Sequence, residues 1–130
     1  MNDFTATLAI AASGMASQSG RLRLVSENIA NADTPGYHRK LASFEPLNGA
    51  DDVEGMVALG RVQLDRTDLA TIYDPSHPMA GTDGTYRGSN VNMVIEIADA
   101  REAQRSYEAN MRIFDQVRQM SSSLNDLLRR

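Results

Sequence analysis

Alternate steps of four and three residues from Phe4 reach Leu8, Ala11, Met15, Gln18, Leu22, Val25 and Ile29, and seven of these eight positions are apolar. The same stepping from Met93 reaches Glu96, Ala100, Ala103, Tyr107, Asn110, Phe114, Val117, Ser121, Leu124 and Leu128, with eight of eleven apolar. A stripe at that spacing, sustained over several turns, is the seam of a helix that packs lengthwise on another helix. Two seams at opposite ends of one chain dominate what it can fold into. The expected fold is mainly α: long N- and C-terminal helices forming a coiled-coil-like pair, with a small irregular, β-rich middle segment between them. At about 1.5 Å rise per residue the first helix is on the order of 40 Å long. Asp3 and Asn92 stand where N-caps are wanted, and Glu96 in the first turn with Arg129 and Arg130 in the last suits the dipole of the second helix. Glu108/Arg112 and Asp126/Arg130 have the i, i+4 order of a solvated face.

The seams do not use all the apolar residues. Ile10 and Leu24 on the first helix, and Val94, Ile97, Met111, Ile113, Met120 and Leu127 on the second, fall outside them. Such leftovers predict packing either against the middle segment or against another subunit. Gly14 and Gly20 each cost about 1 kcal/mol relative to Ala inside a helix, so the first helix is expected to be marginal alone. The same small residues let another chain segment approach closely.

The middle, residues 32–91, holds all four prolines and seven of the nine glycines, which excludes a mainly helical middle. Tyr37 to Phe44 and Met56 to Leu64 have strand-like composition, and Asn48 to Glu54, rich in Asp and Gly, reads as an exposed loop. The expected organisation is therefore an N-terminal assembly helix over 1–31, a turn motif and small β/loop segment over 32–91, and a C-terminal assembly helix over 92–130.

Charge and composition narrow the function. Residues 32–91 carry nine acids against five bases while both helical ends are neutral, so no basic face is offered to a phosphate backbone and nucleic acid is not an expected partner. Aromatic residues are only 5%, lean material for an enzyme core. The chain has no Cys, which excludes disulfides and thiolate metal sites. The apolar run Leu8 to Ala12 is far short of the roughly 20 residues of a membrane span. No Lys or Arg precedes Arg21, so the start lacks the basic region of a cleaved secretory leader, and any export is expected to use another route.

Thr34-Pro35-Gly36-Tyr37 matches a type II turn, with Pro setting φ at the second position and Gly supplying positive φ at the third. Asn28, Asn31 and Asp33 stand where the helix stops, and Asn31 and Asp33 can satisfy backbone groups freed there. On physics alone this is a turn; the functional alternative is that it sets the angle between the helix and the outer segment. Tyr73-Asp74-Pro75-Ser76-His77-Pro78 offers a carboxylate, a hydroxyl and an imidazole. It lacks a nucleophile elbow, an H-E-x-x-H pattern or a second paired His, so it reads as a structural loop, with no cofactor and no metal expected. Gly81 to Thr85 is not a phosphate loop, because no Gly-Lys-Ser/Thr follows.

Some of these residues also form recognisable motifs. Asn28-Ile29-Ala30-Asn31, two further residues and Thr34-Pro35-Gly36-Tyr37 resemble the N-terminal signature of the flagellar rod and hook family. Tyr73 to Pro78, followed by Gly84, Tyr86 and Asn90-Val91-Asn92, is similar to a segment of the proximal rod branch of that family, and the helix carrying Ser106-Tyr107-Glu108-Ala109-Asn110 is similar to the family's C-terminal helix. Ser89 stands where the family pattern has Pro. The resemblance implies a non-enzymatic structural subunit of the bacterial flagellar basal body. It implies export by the flagellar type III apparatus without signal cleavage, and assembly in the periplasmic rod with other rod proteins and copies of itself. Helix packing between and within subunits is then expected of Leu8, Met15, Leu22, Val25 and Ile29 and of Tyr107, Phe114, Val117 and Leu124, with Asn28, Asn31, Thr34, Pro35, Gly36 and Tyr37 forming the corner. The alternative class is a soluble coiled-coil adaptor or regulatory protein dimerising through the same heptads. An enzyme, using Asp74 and His77, comes third.

Overall fold

The computed structural model describes residues 3–130. Helix α1 (Asp3–Ala30) is followed by β1 (Lys40–Leu41), β2 (Phe44–Pro46), β3 (Val57–Leu59), β4 (Gln63–Leu64), β5 (Thr71–Tyr73) and β6 (Thr85–Arg87), and the chain closes with α2 (Met93–Leu128). About half the residues are helical, in helices of 28 and 36 residues, and the strands lie between them.

The helices pack antiparallel. Asn28 lies by Glu96, Arg21 by Asp99 and Glu102, Gly14 by Asn110, and Phe4 in one groove with Leu124. All eight positions of the α1 seam are buried or half-buried, as are those of α2 from Glu96 to Ser121, whereas Met93, Leu124 and Leu128 are exposed. The end of α2 thus outruns the described part of α1. At Gly14 a Cβ would stand 2.7 Å from Asn110 Nδ2, so this glycine is where the second helix comes close. A Cβ on Gly20 would stand 2.9 Å from Leu59 Cδ2, which shows β3 seated on the other side of α1.

Helix ends differ in detail from the sequence expectation. Asn92 caps α2, its side chain accepting from the N–H groups of Val94 (3.0 Å) and Ile95 (3.4 Å). Asp3 lies inside the first turn of α1. The last turn of α2 holds no basic residue, because the helix stops at Leu128 and Arg129 is its C-cap. Glu108 accepts from Gln104, and the exposed pair that closes among the described residues is Asp115–Arg118 at 3.7 Å.

The strands form three antiparallel two-stranded ribbons, β1 with β4, β2 with β3, and β5 with β6. Lys40 faces Leu64, Phe44 faces Leu59, and Ile72 faces Tyr86. The two strand-like stretches of the sequence therefore pair with each other, and their connection contains the mostly exposed 48–54 loop. The third ribbon was not legible as strands, since three residues are too few to display an alternation.

The leftover apolar residues divide by helix. On α1, Leu24 is buried and Ile10 touches Gly55, both against the middle segment. On α2, Val94 (77% exposed), Ile97, Met111, Ile113, Met120 and Leu127 (65%) remain on the surface. The fully buried apolar core is small, namely Ala11, Leu24, Val25 and Ala103, and the largest fully buried side chains are polar: Glu96 and Asn28.

Candidate functional site

The corner is built on the last turns of α1. After the helix stops, Asn31 Nδ2 donates to Glu27 O (2.9 Å), the Asn31 carbonyl accepts from Thr34 N (3.0 Å), and Thr34 Oγ1 donates to Asn31 Oδ1 (3.1 Å). Asp33 is exposed and makes no such bond among the described residues. Tyr37 N donates to Thr34 O at 3.2 Å with Gly36 at φ +76°, the geometry of a type II turn. Pro35 is half-buried in it. The Gly36 N–H reaches Arg87 O and Gly88 O (3.2 and 3.1 Å), and Ser89 Oγ donates to Ala32 O. The corner is thereby stitched to β6 and to the chain entering α2, and the serine hydroxyl supplies a bond that proline cannot.

Asn28, 1% exposed, is its centre. Its Nδ2 donates to Lys40 O and its Oδ1 accepts from Lys40 N, both at 2.8 Å, so the carboxamide pairs with β1 as a neighbouring strand would. Tyr37 Oη donates to the same Oδ1 (2.8 Å), and Nδ2 also lies 3.3 Å from Glu96 Oε2. Burial, assisted by the charge of Glu27, raises the Tyr37 phenol above its ordinary pKa, keeping it the donor this contact needs.

Glu96 is wholly buried beside it and accepts from Arg39 Nε. Arg39 also reaches Asp99 (3.0 Å) and Asp65 (3.8 Å), and its N–H donates to Asn90 Oδ1 (2.6 Å). Burial lowers the Arg39 pKa, and the hydrogen bond and charge of Glu96, with Asp99 and Asp65, more than reverse it. A cavity of about 280 Å³ opens between Arg21, Leu24, Asn28, Arg39, Phe44 and Asp99. The spacing that puts Glu96 on the α2 seam does not mark it as a buried charge, and nothing local singles out Arg39 as its partner. The available signal was a carboxylate at an apolar seam position, which demands a cation.

The second motif holds its own loop. Asp74 Oδ1 accepts from Ser76 N (3.1 Å) and Oγ (2.6 Å), His77 N donates to Asp74 O (3.0 Å), and His77 Nδ1 accepts from Met79 N (3.1 Å). The imidazole stacks on Tyr86 with ring centroids 3.9 Å apart. Pro75 and Pro78 are exposed on the loop, and Tyr73 is 73% exposed on β5. Among the described residues no group of three or more His, Asp or Glu side chains is placed to hold a metal. The Asp74 carboxylate and the His77 imidazole are committed to neighbours, an arrangement that positions chain segments rather than substrates.

Of the seam residues on α1, Val25 is buried and Leu8, Met15, Leu22 and Ile29 are half-buried, and Tyr107, Phe114 and Val117 lie half-buried on α2. Leu124, 44% exposed, sits at the open end near Phe4.

Comparison with known proteins agrees at both ends of the chain. Residues 8–38 match a family profile described as flagella basal body rod protein, and residues 82–127 match one described as flagellar basal body rod FlgEFG protein C-terminal. The flagellar basal-body rod protein FlgC of Agrobacterium fabrum is 45% identical, over 99% of this chain and 98% of the relative. Those of Aquifex aeolicus and Salmonella typhimurium are 32% and 31% identical, over 92% and 85% of this chain. No helix among the described residues is long and apolar enough to cross a membrane. The chain belongs to the FlgC family of flagellar basal-body rod proteins, and it is a structural, non-enzymatic subunit of the rod.

Proposed function

We propose that this subunit is a proximal rod brick whose helices pair in coiled-coil fashion and whose corner holds the outer segment at one angle to them. Residues 1–31 and 92–130 act as assembly helices and residues 32–91 as the outer segment. The seam residues serve helix packing within the subunit and between subunits. Asn28, Asn31, Thr34, Pro35, Gly36 and Tyr37 form the corner, and Tyr73, Asp74, Pro75, His77 and Pro78 shape the outer loop. Partners are other rod proteins and copies of itself, with no role for nucleic acid.

The observation that carries this reading is that Val94, Ile97, Met111, Ile113 and Met120 of α2, all large and apolar, stay exposed in the single chain on both flanks of its seam. Apolar surface left over along a helix on this scale is surface that another chain can bury. Its cover is supplied by neighbouring subunits in the periplasmic rod. The subunit reaches that place by the flagellar type III route without signal cleavage, a passage that suits a chain with a small buried core and no disulfides.

The test is a blot for the protein, tagged within the 48–54 loop, in detergent-extracted, salt-washed basal bodies. Retention at unchanged length is expected. A functional tagged protein confined to the cytosol, or shortened at its N-terminus on export, would overturn the proposal.

A further inference from the structure

Six strands in three ribbons present six outer edges, and four are managed within the chain. The outer edge of β1 is taken by the Asn28 carboxamide at Lys40. In β3, Val57 N donates to Ser13 Oγ (3.1 Å) and Val57 O accepts from Ser17 Oγ (3.3 Å). Pro46 removes a donor from β2, and the Gly36 N–H covers Arg87 O on β6. Among the described residues nothing covers the outer edges of β4 and β5 in this way.

Their register shows which groups are free. Asp65 N bonds Arg39 O, so the Leu64–Lys40 pair is the non-bonded kind and the Leu64 N–H and C=O face away from β1. Likewise Asp74 N bonds Gly84 O, so Thr71 and Tyr73 turn their backbone groups away from β6. Both edges also carry exposed apolar side chains, Val62 (45%) and Leu64 (55%) on one, Ile72 (38%) and Tyr73 (73%) on the other. Open edges of this kind are templates for a strand from another chain.

Charge says which strand. The β4 edge is flanked by Arg61 and Arg66, in a groove that includes His38, and the β5 edge by Asp68 and Asp74. Among the described residues Arg61, Arg66 and Asp68 have no ion-pair partner. Pairing β4 with a second β4 would bring together two edges that each carry Arg61 and Arg66, and antiparallel pairing of β5 with β5 about Thr71 would set Asp68 against Asp74. Like charges oppose both. Pairing β4 with β5 matches opposite charges at each end.

We propose that β4 of one subunit pairs antiparallel with β5 of a second copy of this chain. Leu64 lies opposite Thr71, Val62 opposite Tyr73 and Arg61 opposite Asp74, with Arg66 diagonal to Asp68. The inference rests on the reading that copies are neighbours in the rod. Because the two surfaces differ, the contact is heterologous and propagates around a ring or along a helix, as a rod requires.

The test places a photo-crosslinking benzophenone side chain at Leu64 and illuminates isolated basal bodies. The expected product is a dimer-sized adduct whose joined peptide lies within residues 69–75 of a second copy. An incorporated variant that gives no adduct, or joins a different rod subunit, overturns the proposal. Should the variant fail to enter basal bodies, Arg66→Asp decides: it loses motility and regains it when combined with Asp68→Arg, and absence of either effect overturns the contact. Absence of the unmodified chain from basal bodies would remove the rod reading and this contact with it.

Discussion

Asn28 shows how one side chain can stand in for a strand. It satisfies both backbone groups of Lys40 and accepts from Tyr37, so Asn28→Ala leaves several buried polar groups without partners. Each such orphan costs about 1–3 kcal/mol, and a total loss of about 3 kcal/mol is expected in a urea titration followed by circular dichroism. Gly36 acts differently. Nothing lies within 4 Å of a Cβ built there, so its requirement is the +76° φ alone. Gly36→Val should cost about 1–2 kcal/mol of stability through backbone strain, more than Gly36→Ala, since a β-branched residue fits that region worst. The same melts check it, and motility should be lost while expression persists.

Between elements, the Arg39–Glu96 pair ties the outer segment to α2. Arg39→Met strands a fully buried carboxylate and is expected to destabilise by about 3–5 kcal/mol, whereas Arg39→Met with Glu96→Met should recover most of that loss. Equal losses in the single and double variants would show that the pair does not act as a unit. The β5–β6 ribbon carries a pH dependence of its own. The Ser76 hydroxyl holds Asp74, and the Thr85 hydroxyl holds Asp83, below the usual carboxylate range. A pKa lowered by folding means the contribution is complete above the unfolded value of about 3.9 and fades as pH falls through the depressed folded value. Amide protection factors in residues 71–87, corrected for intrinsic exchange, should therefore fall below about pH 4, and Asp74→Asn should flatten that response.

For the molecule as a whole, the division of apolar residues between the helices decides what is folding and what is assembly. Leu24 on α1 is buried against the subunit's own middle segment, while Met111 and Ile113 on α2 face outward. Met111→Glu with Ile113→Glu should change the melting stability of the isolated chain little, within about 0.5 kcal/mol per site as for most surface substitutions. The same variant should vanish from salt-washed basal bodies. A large loss of stability with normal incorporation would reverse that assignment. The overhanging end of α2, with Leu124, Leu127 and Leu128 exposed, belongs with the same outward surface.

The sequence by itself determined both helices and the type II turn at Gly36. Helix pairing is periodic, and a turn that needs positive φ declares its glycine, so local chemistry is written in local spacing. It also located the two stretches that become β1 to β4, without stating their partners. Only the tertiary structure decided the rest. The leftover apolar residues had two possible destinations, and the middle segment, lying along α1, took in Ile10 at Gly55 and Leu24 beside residues 39–44 and left those of α2 outside. Glu96 became the buried partner of Arg39 because residues 57 positions apart in the chain meet beneath the corner. The open edges of β4 and β5 were equally hidden. Whether a strand edge is covered depends on Asn28, Ser13, Ser17 and Gly36 arriving from distant parts of the chain, and no periodicity records such meetings.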